Sequence, residues 1–143
     1  MKITISALFL CLVATSAANA ESVNRSDLYA ACIGYQNIKW KESEKGTLNY
    51  LTAPQLKQLA PYNFEATKQR CDCTVTAAFK DLSDETIQAY SKALNEGGDG
   101  IILKNVKAAA EFKKADMSDK TIACGEKSIA SSGFEKKLME ISK

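Results

Sequence analysis

Apolar positions recur at helical spacing along most of the chain, and the alternation expected of strands is nearly absent. Leu28, Cys32, Tyr35 and Ile38 trace one face of a first predicted helix, for which Ser26 is a suitable N-cap. Phe64, Cys71, Val75, Ala78, Phe79 and Leu82 form a second stripe. Ile101, Ile102, Val106, Ala109, Ala110 and Lys113 suggest a third helix with Phe112 on its edge, and Phe134, Leu138 and Ile141 a last one. Glycines gather in "NEGGDG", Asn95 to Gly100, which reads as a break. Gly34, inside the first helix, costs up to about 1 kcal/mol relative to alanine; it either admits a close neighbour or is incidental.

Three short segments read as helix starts: "LTAPQL" (Leu51 to Leu56), "LSDETI" (Leu82 to Ile87) and "MSDKTI" (Met117 to Ile122). Each has an apolar residue, a Ser or Thr cap, and an apolar residue five positions after the first. That is the pattern of a hydrophobic staple, in which the residue before the cap packs on the fourth helical residue. Thr52 and Gln55 also fit a capping box. Three separate caps are the simpler reading; a decayed helix-hairpin repeat is the other. Both predict an all-α fold, a compact disulfide-stapled bundle of roughly five to seven helices.

The first twenty residues change the picture. "MKITISALFLCLVATSAANA" has one early lysine, an uncharged apolar run and a small-x-small site at Ala18-Asn19-Ala20, the pattern of a secretory signal peptide. The expected division is a leader over 1–20 and one α-helical domain over 21–143. The run is short for a membrane span, which needs roughly 20 apolar residues, so no stable membrane insertion is expected after cleavage. Cys11 would leave with the leader. The expected location is the periplasm or the exterior.

Four cysteines then remain, Cys32, Cys71, Cys73 and Cys124, and an even count in an exported chain reads as a disulfide framework. Residues i and i+2 of a helix lie about 200° apart around its axis, so Cys71 and Cys73 face nearly opposite ways and should reach different partners. Two pairings follow: Cys32–Cys71 with Cys73–Cys124, marginally preferred, or Cys32–Cys73 with Cys71–Cys124. A redox-active Cys71–Cys73 pair would leave the other two cysteines over. A zinc site would want paired short spacings that are missing here.

Chemistry is sparse. The chain has no histidine, which removes Ser-His-Asp and Cys-His arrangements and the commonest general base. Asp84 and Glu85 fit the first turn of a helix better than a catalytic pair. "GGDG" is neither a phosphate loop nor an EF-hand. No catalytic, cofactor-binding or metal residue is therefore assigned, and a non-enzyme is expected. The net charge is +2, with both signs interspersed, which argues against nucleic acid as a partner. Trp40, Tyr50 and Tyr62 flank a polar lysine–glutamate segment and are the candidate partner-binding residues. The competing reading for Trp40 is that it folds back onto the core.

At Cys32, "CDC" (Cys71 to Cys73), "LSDE" (Leu82 to Glu85) and Cys124, the chain resembles small exported proteins of Gram-negative bacteria that carry single cysteines around a Cys-x-Cys helix. "YAACIGY", Tyr29 to Tyr35, is similar to the first cysteine helix of helical, disulfide-bonded periplasmic immunity proteins that block cell-wall amidases. The first group is mostly uncharacterised and implies no particular activity; the second implies binding of another envelope or secreted protein, with no transferable site residues. Two other functions stand beside that one: a small-ligand or lipid carrier, and a thiol or metal protein using Cys71 and Cys73.

Overall fold

The computed structural model describes residues 13–98 and 103–143, with side-chain surroundings from Asn24 onward. Most of the expected leader, residues 1–12, lies outside the described residues, as do Ile101 and Ile102. The described residues form six α-helices and one π-helical turn: α1 (Val13–Lys45), α2 (Ala53–Cys73), the π turn (Thr74–Ala78), α3 (Asp84–Asn95), α4 (Val106–Lys114), α5 (Met117–Ser132) and α6 (Phe134–Ile141). No strand occurs among them, as the periodicity predicts. No helix among them is long and apolar enough to cross a membrane.

Helix α1 packs along α3, and α2 along α5, with α6 folded back on α2. The first helix is longer than predicted. Ser26 lies inside α1 rather than at its N-cap, because "VATSAANAESVNR" contains neither glycine nor proline to stop the helix. Gly34 is exposed with open space around its Cα, so it admits no neighbour.

Two of the three predicted starts are built as expected. The Thr52 backbone N–H donates to Gln55 Oε1 at 2.8 Å, and Leu51 is buried. Ser83 Oγ accepts from the Thr86 N–H, and Ile87 is buried. The third start differs. Asp116, with φ of 50°, is the residue before α5, so Met117 is already helical and Ser118 is no cap. Met117 is wholly buried, whereas Ile122 is exposed. With Met117 inside the helix, the two side chains lie about 140° apart and cannot form a staple.

The larger core joins α1, the end of α2, the π turn, α3, α4 and α5. At its centre Phe79 lies 4.6 Å from Tyr90 and 6.2 Å from Phe112, centroid to centroid, with Tyr90 and Phe112 stacked at 5.5 Å. A smaller core holds Leu48, Leu51, Leu59 and Ile141, with Trp40, Leu56, Phe134 and Leu138 against it. Helix α2 spans both, and its tilt from one to the other leaves Phe64 exposed, contrary to the predicted stripe. The third stripe is also corrected. Val106 and Ala110 face solvent, whereas Ala108 and Phe112 are buried.

The π turn carries the chain out of the Cys-x-Cys segment. Phe79 N–H donates to Thr74 O at 3.0 Å, one residue beyond the α-helical reach. The widened turn lets Val75, Ala78 and Phe79 all face the core. Carbonyl groups near it are taken up by side chains: Thr74 Oγ1 donates to Arg70 O, and Thr76 Oγ1 to Asp72 O. Arg25 reaches across from α1 to donate to Val75 O and Lys80 O, both at 3.0 Å.

Helix α4 supplies the anion that caps α3. The Ser83 N–H donates to Glu111 Oε1 at 3.0 Å, and the hydroxyls of Ser83 and Thr86 donate to Oε2. Those donors, led by the Ser83 hydroxyl, hold the Glu111 carboxyl below its ordinary value against a smaller opposing effect of burial. A folded-state pKa below the unfolded one contributes stability above the unfolded value and loses it as pH falls through the folded value. The melting temperature should therefore drop as pH is lowered through the carboxylate range. Glu111→Gln should remove part of that drop, read by thermal melts from about pH 6 to pH 3. An unchanged pH profile in the variant would contradict the cap.

Candidate functional site

The Cys-x-Cys segment organises the molecule as the helical geometry requires. Cys71 bonds Cys32 of α1 with a Cα–Cα distance of 5.7 Å, and Cys73 bonds Cys124 of α5 with 5.6 Å. The two bonds leave α2 on opposite sides and tie it to both neighbours. Cys71 and Cys73 are thus joined to different helices and not to each other. Among the described residues no group of three or more His, Cys, Asp or Glu side chains could hold a metal.

The three aromatic residues singled out from sequence separate. Trp40 does not follow the first helix but lies within α1, half-buried, with its ring edge-on to Phe134 at 6.3 Å and 83° between planes. It belongs to the smaller core. Tyr50, in the connection between α1 and α2, is 59% exposed, and Tyr62, on α2 beside Gly133, is 37% exposed. Seven large hydrophobic side chains are exposed among the described residues. Four of them, Tyr50, Tyr62, Phe64 and Met139, are carried by the elements that enclose the smaller core.

A separate pocket of about 160 Å³ opens between α1, α2, α3 and α5, beside the buried Cys32–Cys71 bond. Tyr35, Gln36, Arg70, Ser118 and Ile122 are among its walls, and none of its lining residues is acidic. Arg70 is half-buried, and its guanidinium lies flat against α5. A Cβ on Gly125 would sit 3.1 Å from Arg70 Cζ and 3.2 Å from Nη1. Gly125 is thus the close-approach glycine of this fold, and Gly34 is not.

Neither Arg70 nor Gly125 was singled out from sequence. The signal was present in spacing: Arg70 and Cys73 are three apart on one helix face, and Gly125 follows Cys124. Once Cys73 bonds Cys124, Arg70 has to lie near Gly125. Other grooves are open. One, about 500 Å³ between α1 and α3, is walled by Asn24, Asp27, Gln88, Ser91, Lys92 and Asn95 among others. It is an open groove of mixed lining, unlike the enclosed apolar interior a lipid carrier needs. Comparison of the chain with protein-family models, with curated proteins and with solved structures finds no match.

Proposed function

We propose that the exported chain is a non-catalytic, protein-binding module of the bacterial envelope, of the immunity, inhibitor or accessory type. The observation that carries this reading is the exposure of the apolar side chains Tyr50, Tyr62, Phe64 and Met139 on a helical scaffold whose central helix is bonded on both sides. A stapled scaffold keeps the ordering cost of association low. Tyrosine is among the residues that most often dominate such contacts. Trp40 takes a supporting part: its ring holds α1 against α6, beneath the segment that carries Tyr50.

The test pairs binding with stability. Tyr50→Ala combined with Tyr62→Ala should leave the melting temperature nearly unchanged while weakening capture of an envelope protein about tenfold or more, an effect of about 1.4 kcal/mol. Trp40→Ala should instead lower the melting temperature, since it opens the smaller core. A double tyrosine variant that captures the same protein as well as the parent would refute this surface.

A further inference from the structure

The Arg70 pocket holds a charge without an answer. A half-buried guanidinium costs free energy unless an anion meets it. Yet Arg70 makes no ion pair among the described residues, whose pairs all lie elsewhere. Arg25 shows the contrast, since its guanidinium is spent on two backbone carbonyls. Tyr35, Gln36 and Ser118 line the same pocket as Arg70. No hydrogen bond occupies those side chains among the described residues. Gly125, having no side chain, lets the guanidinium approach α5 closely.

We propose that this pocket is a carboxylate-binding site in which Arg70 receives an acidic side chain of a protein partner; the partner's role rests on the protein-binding reading above. Three features select that ligand. A planar guanidinium matches a carboxylate with two parallel N–H···O contacts. One cation among neutral donors suits a monoanion better than a phosphate dianion, which favours more than one positive group. A volume of about 160 Å³ admits the end of a Glu or Asp side chain, and Ile122, 54% exposed at the rim, offers apolar surface around the entry.

The experiment titrates the full oxidised protein, following the Arg70 Nε–H signal by NMR. Four probes are used: a short peptide with a central glutamate, its glutamine counterpart, acetate alone and phosphate alone. The glutamate peptide should shift the signal, the glutamine peptide should not, and acetate should act at least tenfold more weakly. Arg70→Gln should abolish binding as read on the neighbouring backbone amides. Gly125→Ala provides the sharper control. It keeps the charge and favours the helix, but makes the guanidinium give by a few tenths of an ångström, so binding should weaken measurably at an unlowered melting temperature. An undiminished response in Gly125→Ala, or none to the glutamate peptide, would overturn the site. Acetate as strong as the peptide would overturn the partner side chain in favour of a free small acid, and a response to phosphate alone would overturn the carboxylate. Undiminished envelope capture by the double tyrosine variant, with this titration as expected, would count against the tyrosine surface only; weakened capture by that variant, with no response to the glutamate peptide, would count against the pocket only.

Discussion

Phe79→Ala should lower stability by about 3–5 kcal/mol, the range for removing a large buried ring. For a chain of this size that corresponds to a fall in melting temperature of roughly 10–20 °C. Phe79 has no exposed surface and contacts both other rings of the central triad. It also closes the π turn through its own N–H. The cavity left would lie where α3 and α4 meet the end of the π turn, so neither helix can collapse into it without leaving its cap. Phe64→Ala supplies the comparison. Both residues sit on the same predicted apolar stripe, but Phe64 is 58% exposed, and its loss should change stability by no more than about 0.5 kcal/mol. Thermal melts followed by circular dichroism on the oxidised proteins decide it. Equal losses in the two variants would mean that the register of α2 against the core is wrong.

That comparison shows where periodicity stops being informative. A stripe read at 3.6 residues per turn assumes one uninterrupted helix. Here the π turn after Cys73 inserts an extra residue, and the residues beyond it rotate relative to those before. Phe64 raises a different limit: it precedes the π turn and lies about 20° from Cys71 on the same helix, yet it is exposed while Cys71 is buried, because a helical wheel shows which face a residue is on and not which part of the helix a core covers. Helix α4 fails for a related reason. Asn105 caps it, accepting from the Lys107 and Ala108 N–H groups, so Val106 falls in the first turn on the solvent side and Phe112 takes the core position. Capping chemistry was legible where cap and staple agreed with a preceding break, at Thr52 and Ser83. It misled at Ser118, because the left-handed Asp116 starts the helix earlier.

The disulfide pattern was more legible than the surface. The angular argument on Cys71 and Cys73 needs only helix geometry, and it excludes their mutual bond before any packing is known. Choosing between the two remaining pairings needed the hand of the bundle, which local sequence does not carry. The surface depends on packing to a greater degree. Trp40, in a run of charged residues, looks exposed until α6 is folded against it. Arg70 looks like an ordinary charged position until Gly125 brings α5 beneath it.

The two bonds should respond differently to reductant, and this follows from burial alone. Cys32 and Cys71 are 4% and 0% exposed within the larger core. Cys73 is half-exposed, in the wall between two open grooves, one bordered by Asp72, Thr76 and Ser131 and the other by Ala77, Lys120 and Ala123. A thiolate must approach a sulfur directly to exchange with it, so access governs the rate. Lys127 borders both grooves and favours an incoming thiolate. Brief treatment of the native protein with limiting reductant, followed by alkylation and peptide mapping, should label Cys73 and Cys124 while Cys32 and Cys71 remain bonded. Removing each bond outright tests the energetics. The bonds join residues 39 and 51 positions apart, and each is expected to contribute about 2–5 kcal/mol. Cys32→Ala with Cys71→Ala should cost more than Cys73→Ala with Cys124→Ala, because both members of the first pair are buried in the core and only Cys124 of the second is. Labelling of Cys32 and Cys71 first, or of all four together, would mean that α1 opens from α2 before α5 does, against the burial described here.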